Sequence, residues 1–162
     1  MIDLLEGANS KEAIMSSEFK KLSHSIYKCK YHIVFCPKYR YRVLVGEVGE
    51  YTQREIYSLC AQKDRVEVIE ANVQADHVHI IVSIAPKHAV SSVMGFLKSK
   101  LAVRVLNQYP QLRKHRYWGN HLWSRGYCVS TVGLDEEKIR KTVKWQEDKE
   151  KRSEIVQKRL FD

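Results

Sequence analysis

The chain has 162 residues and a mass of 19.0 kDa, 44% of it hydrophobic, which suits one globular domain with a real core and excludes a disordered chain. Lys and Arg number 28 against 19 Asp and Glu, a net charge of +9 with a pI near 9.4, and this points to a polyanionic partner whose neutralised phosphates release counterions. Residues 1–20 lack the pattern of a signal peptide, no apolar stretch approaches the roughly 20 residues of a membrane span, and Cys29, Cys36, Cys60 and Cys128 lack CxxC spacing, so a cytoplasmic protein with small core cysteines and no membrane partner is expected.

In chain order, residues 1–20 read as a flexible extension, 21–155 as the folded domain and 156–162 as a charged tail. A first strand is expected over 25–36, where Tyr27, Cys29, Tyr31, Ile33 and Phe35 alternate with Lys28, Lys30 and His32 until Pro37 ends it. A basic hairpin over 37–44 then leads through Gly46 and Gly49 into a helix at about 50–63. Val66–Val73 reads as the second strand, and the turn Gln74-Ala75-Asp76 returns the chain into an antiparallel partner over 77–84. A long helix is expected over Val90–Gln108, capped by Ser91 or Ser92, with Val93, Phe96, Leu97, Leu101, Val105 and Leu106 on its apolar stripe and Tyr109-Pro110 as its stop. A strand region over 118–131, split by Gly126, precedes a last helix that opens with acidic residues at Asp135-Glu136-Glu137. The order β-α-β-β-α-β-α is that of an α+β, ferredoxin-like or RRM-like antiparallel sheet with helices packed on one face.

His77 and His79 stand one residue apart in Asp76-His77-Val78-His79-Ile80-Ile81-Val82, so on a strand they project to the same side while Val78 and Ile80 face a core. Two imidazoles so placed can hold one divalent cation or act as paired acid and base. The His-x-His pattern is short, and it also occurs in strands that bind nothing. A histidine-triad nucleotide hydrolase would need a third histidine in the same alternation, where Ile81 stands, so that class is excluded. Cations interleaved with aromatics in Tyr27-Lys28-Cys29-Lys30-Tyr31, Lys38-Tyr39-Arg40-Tyr41-Arg42 and Arg113-Lys114-His115-Arg116-Tyr117-Trp118 suit single-stranded nucleic acid, whose unpaired bases stack while the backbone is held. Lys30, Lys38, Arg40, Arg42, Lys98, Arg113 and Arg116 are the candidate DNA-binding residues, with an ordinary solvated basic face as the plain alternative for each.

Five blocks carry a family resemblance. They are Lys30-Tyr31-His32-Ile33-Val34-Phe35-Cys36-Pro37-Lys38-Tyr39-Arg40, Ala75-Asp76-His77-Val78-His79, Ser91-Ser92-Val93-Met94-Gly95-Phe96-Leu97-Lys98, Trp123-Ser124-Arg125-Gly126-Tyr127-Cys128-Val129-Ser130-Thr131-Val132-Gly133, and Lys138-Ile139-Arg140-Lys141-Thr142-Val143-Lys144-Trp145-Gln146. Together, over about residues 22–150, the chain resembles the HUH transposases of the smallest bacterial insertion sequences, the transposase A family of the insertion sequence "two hundred" type. The resemblance implies an enzyme that cuts and rejoins single-stranded DNA at hairpin-marked element ends through a 5′-phosphotyrosine. It implies Mg²⁺ or Mn²⁺ held by His77, His79 and Gln146, with Asp76 either a supporting partner or a turn residue. It also implies a homodimer in which strands of both subunits join one sheet and the histidines of one chain face the last helix of the other. As ligands the histidines must be neutral, so acid is expected to release the ion.

The chain departs from the family at the nucleophile. Where the family's last helix has tyrosine four residues before the glutamine, this sequence has Thr142. A spacing of four puts both side chains on one helical face. Threonine is far less acidic than a phenol, whose pKa is about 10, and it is shorter. The chain is therefore a decayed or repurposed copy, carries a deliberate substitution, or uses another tyrosine, of which Tyr127 is the nearest although the family keeps an aromatic there for packing. Two rivals follow from the same residues: a transposase-derived, non-catalytic DNA- or RNA-binding regulator, and a metal phosphoesterase that uses water.

Overall fold

The computed structural model describes residues 19–114 and 121–132. The expected last helix with Thr142 and Gln146, the basic residue Arg116 and most of the 1–20 extension lie outside the described residues.

The described residues open with a small antiparallel pair, β1 (Lys20–Leu22) and β2 (Ser25–Tyr27). After a break at Lys28 and Cys29 comes β3 (Lys30–Phe35). The single strand expected over 25–36 is thus two. Alternation runs unbroken through both, but β2 pairs with β1 whereas β3 joins the main sheet, so the chain changes sheets between them. The main sheet also contains β4 (Val66–Val73), β5 (Val78–Ile84) and β6 (Cys128–Thr131), in the order β4-β5-β3-β6, and every neighbouring pair is antiparallel. Because β5 lies between β3 and β4, the first β-α-β unit is split, which is the arrangement of a ferredoxin-like α+β fold.

Helices α1 (Glu47–Ala61) and α2 (Val90–Gln108) pack on the same side of this sheet. In α1 the buried residues Thr52, Ile56, Leu59 and Cys60 recur at helical spacing, and Glu47 and Glu50 place negative charge at its N-terminal end. In α2 the buried stripe is Val93, Met94, Leu97, Leu101, Val105 and Leu106. These meet Ile33 and Phe35 of β3 and Val78, Ile80, Val82 and Ile84 of β5 in one core. Helix α2 has the expected bounds, but neither Ser91 nor Ser92 caps it. Ala89 holds the cap position, and the Ser92 amide donates to its carbonyl at 3.1 Å.

Residues 37–44 do not form the expected hairpin. Lys38–Arg40 make one 3-10 turn in which Tyr39 (φ 60°) and Arg40 (φ 52°) are both left-handed. The Lys38 amide donates to the Leu122 carbonyl at 2.9 Å and the Leu44 amide to the Ala75 carbonyl at 3.0 Å. Val43 and Leu44 sink into the core, so the segment is drawn across the sheet's end instead of pairing with itself. The expected strand over 118–131 is described only at β6, preceded by a Pro37–Trp123 bridge. Of the four cysteines only Cys60 is a core residue, and burial pushes its thiol up to about 11; Cys29 and Cys36 are half-buried, and Cys128 is exposed on β6, at the end of the sheet order. Among the described residues no helix is long and apolar enough to cross a membrane.

Candidate metal and nucleic-acid site

Strand β5 sorts its residues as its alternation requires. Val78 and Ile80 face the helices and are completely buried, and His77 and His79 face the other way with Ile81 and Ser83. His77 precedes the strand and is itself buried. The two rings meet edge to face, with centroids 4.8 Å apart and planes at 80°.

Each histidine has one nitrogen engaged by a different element. His77 Nδ1 lies 2.7 Å from Asp76 Oδ1, and Asp76 Oδ2 lies 3.3 Å from Nη2 of Arg40. Burial pushes the Asp76 carboxyl up, but the hydrogen bond with His77 and the positive charges of His77 and Arg40 outweigh it and hold the group below its ordinary value. His79 Nδ1 lies 3.1 Å from Nε2 of His32 on β3. In the register Val34 is directly opposite His79, so His32, two residues earlier, is its diagonal neighbour on the same face, within reach of a ring. Burial, then the positive charge of His77 and of His32, lowers His79 to about 4. Burial lowers His32 as well.

Nδ1 of each ligand candidate is thus held by a neighbouring side chain, and His79 stays neutral at physiological pH. Neutral imidazoles whose other nitrogen is held by a carboxylate or a second acceptor suit a divalent ion. Among the described residues no group of three or more His, Cys, Asp or Glu could hold a metal, so a cation on His77 and His79 would need a ligand from beyond them.

The candidate DNA-binding residues fall into two groups. Lys30 alternates with His32 on the histidine face of β3, while Lys38, Arg40 and Arg42 lie on the segment that crosses the end of the sheet beside Asp76. Lys38 sits over the Tyr39 ring, 5.5 Å from its centroid. Lys98 and Arg113 line a separate cleft of about 620 Å³ between α2 and residues 121–125, together with Trp123 and Arg125. There the Lys98 ammonium donates to the carbonyls of Ser124 and Gly126, each at 2.7 Å, and burial lowers its pKa. Arg113 donates to Asn107 Oδ1 at 2.7 Å. Tyr127, the alternative phenol, packs against the core.

Sequence reasoning missed His32 as part of the centre and Arg40 as the partner of Asp76. His32 stood in the polar alternation of β3, but only the β3–β5 register brings it to His79. Arg40 read as a DNA contact, and no local pattern ties it to Asp76.

Comparison with known proteins shows the family and the fold. The family described as "Transposase IS200 like" matches residues 25–146. The transposase for insertion sequence element IS200 of Salmonella typhimurium is 41% identical over 135 residues, covering 83% of this chain and 88% of the relative. The ISDra2 transposase TnpA of Deinococcus radiodurans is 38% identical over 138 residues, covering 85% and 97%. A crystal structure of a transposase-type protein from Deinococcus radiodurans R1 superposes with a TM-score of 0.66 at 30% identity, over 80% of this chain and 96% of that one. The fold extends to a REP-associated tyrosine transposase bound to a REP hairpin, with a TM-score of 0.50 at 11% identity, over 75% of this chain and 66% of that one. With that span and those identities, the chain belongs to the IS200-like family of transposases.

Proposed function

We propose that this transposase acts by cutting and rejoining single-stranded DNA at hairpin-marked element ends, with Mg²⁺ or Mn²⁺ at His77 and His79. The observation that supports it most is the pair of imidazoles on the face of the sheet turned away from the helices, with Nδ1 of each held by a neighbouring side chain. Gln146, from the last helix, is the expected third ligand. When bound, the ion supplies positive charge to the non-bridging oxygens of the scissile phosphate and holds them for in-line attack. Asp76 keeps His77 oriented, and the hydrogen bond with His77, helped by the Arg40 charge, keeps the Asp76 carboxyl below its ordinary range. The segment over 37–44 places Lys38, Arg40 and Arg42 beside this face, with Lys30 on it, where they would hold the backbone of the incoming strand; Lys98, Arg113 and Arg116 would extend the track.

The attacking oxygen forms a bond to phosphorus as the 3′ oxygen leaves, so the 5′ phosphate stays on the protein. A phenol at position 142 would do this readily; Thr142 would not, having neither the acidity nor the reach. Cleavage by this copy is therefore expected to be weak or absent. Thr142 favours a second reading on the same surface, a transposase-derived regulator that binds DNA or RNA without cutting it.

The edge strand β6 supports a homodimer with an active site shared between subunits. All four of its residues are exposed, and Val129, paired with Ile33 and so on the core-facing side, is 46% exposed. Among the described residues no strand pairs with the outer edge of β6, and such an edge is a ready partner for a second copy. A single-subunit mass on gel filtration at micromolar concentration would remove this part of the proposal.

The deciding experiment uses a labelled oligonucleotide that contains a hairpin and a flanking single strand, with Mn²⁺ present. Wild type is expected to bind without a covalent adduct, and Thr142→Tyr is expected to gain a protein–DNA adduct that survives denaturation. Binding with no adduct from either protein would favour the regulator. Product bearing a free 5′ phosphate and no adduct would favour hydrolysis by water.

A further inference from the structure

We propose that His32 is a positioning residue for His79: it accepts a hydrogen bond from the His79 Nδ1–H and thereby leaves the Nε2 lone pair of His79 facing the cation site. The inference rests on the cation reading above, and it concerns a residue outside the expected ligand set of His77, His79 and Gln146.

The geometry carries it. The planes of the two rings differ by only 4°, and their centroids lie 5.3 Å apart. That separation is what a 3.1 Å nitrogen–nitrogen contact leaves once the distance from each ring's centre to its nitrogen is added at either end. The rings are thus end to end in nearly one plane, so the N–H of one points along the lone pair of the other, the best alignment for a hydrogen bond. With only one proton between the two nitrogens, one must donate and the other accept. If His79 accepted, its proton would sit on Nε2 and close that nitrogen to a metal. If His79 donates, Nε2 is bare, and His32 carries its own proton on Nδ1.

His77 supplies an internal parallel. Its Nδ1 meets Asp76 Oδ1 at 2.7 Å, and a carboxylate can only accept, so His77 Nδ1 is the donor in that bond. Each member of the pair then has its own orienting acceptor, a carboxylate from the preceding turn for His77 and an imidazole from the neighbouring strand for His79. His32 is not a third ligand in this arrangement, because the nitrogen nearest the pair is turned to His79 Nδ1.

The test uses the full-length protein and two readouts. Long-range ¹H–¹⁵N spectra of the metal-free protein report which nitrogen of His79 is protonated, and calorimetric titration with Mn²⁺ alone reports affinity. Wild-type His79 is expected as the Nδ1–H tautomer. His32→Phe keeps a ring of similar shape without an acceptor; it should shift His79 toward the Nε2–H form and weaken Mn²⁺ binding by about ten- to a hundred-fold. His32→Gln, whose amide oxygen can accept, should restore most of both. The proposal is overturned if wild-type His79 carries its proton on Nε2, or if His32→Phe matches wild type in both readouts. A tautomer shift in His32→Phe with no Mn²⁺ binding by any variant would uphold the role of His32 and sink the cation reading instead.

Discussion

His79 shows how a sheet can prepare a side chain for one protonation state. Burial, reinforced by the neighbouring histidines, lowers its pKa to about 4 from an ordinary 6.5. The unfolded chain therefore takes up a proton near 6.5 while the folded protein waits until about 4. Between these values the unfolded state binds more protons, so stability rises with pH and is lost as pH falls from 6.5 toward 4. Asp76 leans the same way at lower pH: its lowered pKa contributes stability above the ordinary carboxylate range and loses it only as pH falls below that range. The window between therefore belongs to the histidines. Part of the His79 ring remains open to water, and screening holds its share of the loss to about 1 kcal/mol, or about 2–4 °C in melting temperature for a chain of this size. Thermal melts of the metal-free protein at pH 7 and pH 4.5 should show this fall, and His79→Gln should flatten it. An unchanged slope in the variant would assign the effect to other groups.

At the level of elements, the contact between α1 and the segment before it fixes where the site's crossing loop can lie. Gly46 (φ 56°) lets the chain turn into α1, and one turn later Gly49 passes against the Leu44 carbonyl so closely that a Cβ on Gly49 would stand 2.6 Å from that oxygen. The atom met is backbone, and it belongs to a residue whose own amide is tied to Ala75, next to Asp76. Gly49→Ala must therefore push α1 or the 37–44 segment aside, at a cost of about 1–3 kcal/mol despite alanine's better helix propensity. A urea midpoint equal to or above wild type would refute this. The same elements show which parts of the fold were legible beforehand. Val66–Val73 and Val90–Gln108 have the expected bounds because each has its own periodicity and its own punctuation, Pro110 after α2 among it. Residues 37–44 defeated local reading because their shape is set by Val43 and Leu44 burying and by hydrogen bonds to residues 122 and 75, far along the chain. The site divides in the same way. His77, His79 and Asp76 are sequence neighbours and were visible as a pattern, whereas His32 and Arg40 reach them only through strand register and a loop crossing.

For the whole molecule, the surplus of nine positive charges matters through where it is placed. One group of cations lies beside the histidine face, on β3 and the 37–44 segment; the other lines the cleft between α2 and residues 121–125, on the helix layer. A single-stranded DNA that follows both must wrap the end of the sheet, and a strand that follows only the first need not. Salt dependence separates the two. Each phosphate contact on a single strand contributes about −0.7 to the slope of log K against log salt. Lys38→Ala with Arg42→Ala removes two cations from the first group, and a wrapped or unwrapped strand alike should then show a slope shallower by about 1.4. Adding Arg113→Ala removes one from the cleft, where its guanidinium donates to the neutral Asn107 amide, which leaves its charge uncancelled by that contact. A wrapped strand requires a further loss of about 0.7 in slope, and a strand confined to the histidine face requires none. If the first pair leaves the slope untouched, those cations are an ordinary solvated face, and the DNA track proposed for residues 37–44 is wrong.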